Sequence, residues 1–264
     1  MKVVVVAFGG LVSSLLFTAC GSAPPPDPGV KEPTITSSCA TDQQNAYQVC
    51  YPTTEIGTSV HNFASGISGA RISNFAFTGY EWNTDASGTP INTMTATVKT
   101  IHLGDFYDPM GKGNPAVIGG APIKIIHLTV AALWCGPCND ETDFIAGANY
   151  TGTNTSNASW AKELASMGVV FVQAIDDGQT PGTGATLTDL NTWIGRHQND
   201  FTTMVDPGNA GLGVFFDAAA IPFNMNIDAR SMEILSSDVG FDEQMDQTIE
   251  NTYLKWVNSN PALQ

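Results

Sequence analysis

Positive charge is scarce in this chain. Its 264 residues carry 10 Lys and Arg against 25 Asp and Glu, a formal net charge of −15. That balance excludes nucleic acid and anionic lipid surfaces as partners, since both require a basic face. Charge of either sign is thin at 13%, so the acidity comes from missing cations rather than a dense acidic coat. Long apolar runs are missing too: Val3 to Phe17 falls short of the roughly 18–20 residues that a membrane helix needs. The four histidines are scattered and no second Cys-x-x-Cys follows the first, which leaves a zinc site without ligands. No internal repeat is present. What remains, at 42% apolar residues, is a globular chain long enough for one large domain or a domain with an extension.

The N-terminus reads as an export signal. Met1-Lys2 is a short positive start, the apolar run follows, and Leu16-Phe-Thr-Ala-Cys20 puts small residues before a cysteine. Residues 1–19 therefore fit a cleaved signal peptide better than a membrane span. The ending resembles a bacterial lipobox, although Phe17 stands where Leu is usual. The resemblance implies that Cys20 is lipidated and begins the mature chain; an ordinary signal cut nearby leaves Cys20 a plain thiol. Gly21, rather than Asp, after the cysteine favours the periplasmic face of the outer membrane, with surface exposure as the variant. Residues 20–38 contain Ala-Pro-Pro-Pro-Asp-Pro and read as an extended tether.

Trp134-Cys135-Gly136-Pro137-Cys138 is the chemical centre of the sequence. Two thiols separated by two residues can close an intramolecular disulfide and open it again. Ile123 to Ala131 reads as a buried strand and Asn139 to about Ala148 as a helix. Cys135 then stands at a helix start, where partial positive charge favours a thiolate. Cys39 and Cys50 are left over, with ten residues between them. In an oxidising compartment they read as a structural disulfide, the alternative being two free thiols.

Residues 39–97 read as a small β-rich extension in which Ile72 to Phe77 alternates like a strand. From residue 98 to 264, strands alternate with helices. Val98–Leu103, Ile123–Ala131 and Gly168–Ile175 are expected strands, and Ser159–Met167 and Leu187–His197 are expected helices. Pro222–Asp228 and Met232–Leu235 make a hairpin, and a closing helix spaces Phe241, Met245, Ile249, Tyr253, Trp256 and Val257 on one face. This pattern predicts an α/β fold with a mixed central sheet flanked by helices.

The run from Thr129 to Cys138 resembles the thioredoxin superfamily, and more closely its exported TlpA/ResA-like redoxin branch. Leu103-Gly-Asp-Phe106, Glu141 and Ile221-Pro222 before a strand ending in Ile227-Asp228 match that branch in order. The likeness covers roughly residues 98–258 and implies a thioredoxin-like fold and a membrane-tethered thiol–disulfide oxidoreductase acting on envelope proteins. It implies a monomer with no cofactor beyond the Cys135–Cys138 disulfide, no metal, and an electron donor the sequence does not name. Cys135 is expected to be the nucleophile and Cys138 the resolving thiol, with Trp134, Gly136 and Pro137 shaping the site. Pro222 is expected to be cis, so that the Ile221 backbone pairs with the substrate; the alternative is a trans proline opening an edge strand. Glu141 either exchanges a proton with Cys138 or simply favours the helix dipole. Thioredoxin places a buried Asp where this chain has Thr129, a departure that raises the weight on Glu141.

Other readings of the same residues fare worse. A peroxiredoxin-like peroxidase needs Thr or Ser three residues before its cysteine and Pro seven before; here stand Ala132 and Leu128. For a metal-delivery lipoprotein this chain lacks the wider cysteine spacing and downstream His of copper chaperones, and a non-catalytic lipoprotein on this scaffold would not need Cys135, Cys138 and Pro222 together. His127 reads as a packed strand residue, His197 as a helix C-terminal charge, and Asp176-Asp177 as a turn. The Asn-x-Ser/Thr triplets at Asn149, Asn154 and Asn157 read as accidents of composition.

Overall fold

Ile125–Ala132 (β4) is buried at all eight positions and lies inside the sheet. Its β-branched and aliphatic residues suit a strand covered on both faces. The structure, a computed structural model, describes residues 34–36, 51–81, 97–109, 111, 122–147, 151–152, 160–217 and 220–260. The expected signal peptide, Cys20, Cys39, Cys50 and the triplets at Asn149, Asn154 and Asn157 lie outside them.

Before β4 come β1 (Thr34–Thr36), β2 (Asn74–Tyr80) and β3 (Lys99–His102). After it come α1 (Gly136–Ala146), α2 (Trp160–Ser166), β5 (Val169–Asp177), α3 (Leu187–His197), β6 (Thr202–Val205), β7 (Phe223–Asp228) and β8 (Glu233–Val239). One sheet orders them β1-β2-β6-β5-β4-β7-β8, with β3 paired to β2. β4, β5 and β6 are parallel, while β7 pairs antiparallel with β4 and β8 antiparallel with β7. Strand–helix units followed by an antiparallel hairpin make this the expected mixed sheet of a thioredoxin-like fold. β6 is a strand the sequence pattern does not single out. Asp176 and Asp177 end β5 rather than forming a turn after it.

Successive residues of β4 serve two cores. Ile126, Leu128 and Val130 join Val170, Val172, Met225 and Ile227 on one face, beneath Phe77, Ile101 and Phe106. Ile125 and Phe171 face the other way, against Phe144 and Ile145 of α1 and Ile249, Tyr253 and Val257 of the C-terminal helix. That helix begins as α4 (Met245–Thr248), widens through a π segment (Ile249–Leu254) and ends as α5 (Lys255–Ser259). Its apolar residues recur every four positions, a spacing that drifts round a 3.6-residue turn; the wider segment keeps Ile249 and Tyr253 on the core. Among the described residues no helix is long and apolar enough to cross a membrane.

The stretch preceding β2 is fastened to the far edge of the molecule. Glu233 Oε1 of β8 takes a hydrogen bond from the Gly69 N–H at 2.6 Å and lies 2.7 Å from His61 Nδ1. Arg71 Nε donates to the Ser231 carbonyl at 3.1 Å. Residues 51–81 thus supply a strand to the central sheet and a strap to its hairpin edge.

Candidate active site

β4 delivers the chain to the start of α1, and the helix sets the geometry of both cysteines. Cys135 is its N-cap residue, Pro137 occupies its first turn, and Gly147 ends it in the left-handed region at φ 70°. Cys135 and Cys138 are joined in a disulfide with Cα atoms 5.3 Å apart. The Cys138 N–H donates to Cys135 Sγ at 3.2 Å, so a thiolate at Cys135 meets a donor and a positive helix end together. Cys135 is 3% exposed and Cys138 0%. Gly136 and Pro137 are exposed beside them.

Two further groups frame the disulfide. The Ile221–Pro222 bond is cis, and the Ile221 carbonyl oxygen lies 3.9 Å from Cys135 Sγ. This is a contact rather than a hydrogen bond, because a disulfide sulfur carries no proton. Trp134 is exposed, and its indole N–H donates to Asp177 Oδ2 at 3.3 Å, an oxygen that also accepts from the Gly182 N–H at 2.6 Å. Asp177 therefore fixes the indole of the residue next to Cys135.

Asn139, one residue beyond Cys138, ties α1 to α3. Its Nδ2 donates to the Cys135 carbonyl at 2.6 Å while its Oδ1 accepts from Arg196 at 2.8 Å. His197 lies 3.1 Å from that same Oδ1 and 2.7 Å from Asp143 Oδ1. His197 is thus buried in a polar clamp and is not the exposed terminal charge its position suggests. Burial holds its pKa below the usual histidine range, against the pull of Asp143.

Beneath α1 lies a network that the sequence pattern does not announce. Gln173 Nε2 donates to Thr129 Oγ1 at 3.1 Å and to Thr142 Oγ1 at 2.8 Å, and its Oε1 accepts from Trp193 Nε1 at 2.7 Å. Thr142 Oγ1 in turn donates to the Cys138 carbonyl at 2.8 Å. Where thioredoxin keeps a buried acid, this chain has a neutral threonine held by an amide.

The buried carboxyl on this helix is Glu141 instead. It is 0% exposed, one turn after Cys138 on α1. Its Oε2 accepts from Asn224 Nδ2 at 2.9 Å, and its Oε1 has no partner among the described residues. Burial pushes its pKa up to about 8, only partly opposed by the Asn224 hydrogen bond. His127 is fully buried as expected of a core residue, 2.9 Å from Asn226 Oδ1, and burial lowers its pKa to about 4.

Glu141 makes the fold sensitive to alkali. An unfolded chain releases this proton near pH 4.5, but the folded protein keeps it to about 8. Between those values the native state binds the extra proton, so stability is fully present below 4.5 and falls as pH rises through 8. The slope is at most about 1.4 kcal/mol per pH unit for one group. Asp176, buried beside Asp177 and raised to about 7, adds a decline of the same sign. Urea melts at pH 5, 6.5 and 8 are expected to show this fall, and Glu141→Gln is expected to flatten it. Parallel curves for the two proteins contradict the assignment.

Among the described residues no group of three or more His, Cys, Asp or Glu is arranged to hold a metal ion. No protein-family model matches the chain, and no curated protein matches it. Among solved structures it is similar to a DsbF homologue from Corynebacterium diphtheriae: 14% identical, covering 78% of this chain and 98% of that one, TM-score 0.46. It is similar to the thioredoxin domain of a thiol-disulfide oxidoreductase from Bacteroides vulgatus, 14% identical over 71% and 98% of the two chains, TM-score 0.41. It is also similar to the pneumococcal exposed lipoprotein thioredoxin of Streptococcus pneumoniae, 20% identical over 67% and 98%, TM-score 0.36. Its own strand order, with a Cys-Gly-Pro-Cys disulfide where β4 meets α1, gives the chain a thioredoxin-like fold.

Proposed function

We propose that this protein is a thiol–disulfide oxidoreductase of the bacterial cell envelope, exchanging disulfides with partner proteins through Cys135 and Cys138. The observation that carries the reading is the disulfide at the start of α1, its outer sulfur beside the backbone carbonyl of Ile221. A static cross-link needs neither a helix start nor a strand end beside it.

In the reducing direction, the Cys135 thiolate attacks a partner disulfide. One sulfur–sulfur bond forms to Cys135, and the partner's own bond breaks and releases a thiolate. Cys138 then loses its proton and attacks Cys135 Sγ, re-forming the internal disulfide and expelling the partner's second sulfur. Ile221 and Pro222 hold the extended partner segment, Trp134, Gly136 and Pro137 present the sulfur, and Glu141 takes the Cys138 proton. A dithiol donor returns the pair to the reduced state. Lipid on Cys20 and the proline-rich segment between it and β1 (Thr34–Thr36) keep the site at the membrane, and the same oxidising compartment closes Cys39 and Cys50 into a structural disulfide.

The test is equilibration of the protein without its signal in dithiol–disulfide buffers, with thiol labelling read by mass. Two thiols are expected to appear as one two-electron step, with Cys39 and Cys50 unlabelled, and the reduced form is expected to cleave the insulin disulfides catalytically. A pair that opens only on denaturation, or an absence of turnover, refutes the assignment.

A further inference from the structure

Behind the redox helix the sheet carries polar side chains where a covered strand usually carries apolar ones. Pairing aligns Gln173, Thr129, Asn224 and Asp238 in one row across β5, β4, β7 and β8. The first three are buried, and Asp238 is exposed at the sheet's edge. The neighbouring row holds Phe171, His127 and Asn226. Glu141 descends onto the first row from α1. Asn224 Nδ2 divides its two hydrogens between Glu141 Oε2 at 2.9 Å and the Gly240 carbonyl at 3.2 Å. Glu141 Oε1 has no hydrogen-bond partner among the described residues, and the Asn224 side chain also lies against His127, whose pKa it pulls upward against burial.

Asn224 also lines a cavity of about 290 Å³ between the β7–β8 hairpin and the C-terminal helix. His127 and Asn226 line its buried side, Phe241 and Tyr253 its walls, and the exposed Asp238, Asp242 and Thr248 its rim. A polar space several times the roughly 30 Å³ share of one water has room for water. The opposite approach is closed: Cys138 is 0% exposed behind Cys135, and a docked partner covers Cys135, Trp134 and Ile221 during exchange.

We propose that this cavity is the proton port of the resolving cysteine, and that Asn224 is a positioning residue holding the Glu141 carboxyl between the cavity's water and the Cys138 sulfur. The inference rests on the exchange chemistry proposed above. When a thiolate attacks Cys135 Sγ, a bond forms to Cys135 and the Cys135–Cys138 bond breaks. The electron pair passes to Cys138 Sγ, and the proton on Glu141 follows it. The carboxylate then regains a proton from the cavity; oxidation runs the same path in reverse. The titratable groups lining the cavity are His127 from β4, Asp238 from β8, Asp242 before α4 and Tyr253 from the C-terminal helix, while on α1 Asp143 turns to His197 and the Glu141 carboxyl meets Asn224. Of these, His127 is held neutral by burial at physiological pH.

The test is the opening of the protein's own disulfide by dithiothreitol from pH 5.5 to 9.5, with rates divided by reagent thiolate concentration. This readout survives even if no partner protein is ever a substrate. Wild type is expected to slow as pH rises past Glu141's titration, and Glu141→Gln to lose that inflection. Asn224→Leu is expected to move the inflection to higher pH, because the lost hydrogen bond favoured the carboxylate. It is also expected to slow opening at pH 7 by about tenfold, part of the roughly 10²–10⁴ that a general acid supplies. Asn224→Ser keeps a donor and is expected to restore most of the rate. A folded Asn224→Leu protein with the wild-type rate and inflection overturns the proposal, as does equal slowing in both variants at an unmoved inflection. Should Asn224→Leu not fold, Thr248→Trp at the rim gives a second reading. Exchange of the Glu141 carboxyl proton in D2O, followed by infrared spectroscopy, is expected to slow in that variant, and unchanged exchange overturns the port.

Discussion

Cys135→Ser is expected to reduce disulfide turnover to the uncatalysed level, while Cys138→Ser is expected to accumulate a covalent complex with its substrate. The asymmetry comes from exposure and hydrogen bonding together. Cys135 retains 3% exposure where Cys138 has none, and its Sγ accepts the Cys138 N–H at 3.2 Å. That backbone donor survives in Cys138→Ser, so the Cys135 thiolate keeps its hydrogen bond at the helix start and still attacks. Nothing then resolves the mixed disulfide, because a hydroxyl is not a nucleophile toward sulfur at neutral pH. In Cys135→Ser the remaining thiol is wholly buried and meets no partner. Insulin reduction followed by non-reducing electrophoresis separates the two outcomes. Equal activity in both variants and wild type removes Cys135 and Cys138 from the chemistry. A trapped complex with Cys135→Ser instead reverses their roles.

Local patterns made the centre of this fold readable. The apolar run to Ala132, the two-residue spacing of the cysteines and the Pro137 start of α1 are contiguous in sequence. So are the Thr186 and Asp189 side chains that cap α3 reciprocally, which is why Leu187–His197 appears with the bounds its pattern indicates. The polar floor was not readable. Asn224-x-Asn226-x-Asp228 alternates with apolar residues and looks like a half-exposed strand, yet α1 and the C-terminal helix cover that face. Only the pairing of β7 with β4 reveals that Asn224 lies beside Thr129 and Asn226 beside His127. Likewise Thr202–Val205 is too short and too polar to announce a strand; parallel pairing with β5 makes it one. Residues 51–72 depend on single long-range ties such as Arg71 to Glu233, which leave no period in the sequence.

Trp193→Ala is expected to be the most destabilising single change in the described core. Trp193 is wholly buried in the cluster that surrounds both cysteines, with Ile175, Leu190 and Ile194. Deleting a buried indole costs about 3–5 kcal/mol, a large part of the roughly 5–15 kcal/mol that holds a native protein together. At about 2–4 °C per kcal/mol for a chain of this size, the melting temperature falls by roughly 6–20 °C. Trp193→Phe separates packing from polarity. It retains most of the apolar volume but removes the donor to Gln173 Oε1, leaving a buried carbonyl unsatisfied at about 1–3 kcal/mol. That same glutamine holds Thr129 and Thr142, and Thr142 binds the Cys138 carbonyl. The loss therefore reaches the redox helix as well as the core. Thermal melts of the oxidised proteins should rank wild type above Trp193→Phe and Trp193→Phe above Trp193→Ala. If Trp193→Phe melts with wild type, the indole–glutamine bond does not stabilise the floor beneath α1, and packing alone sustains it.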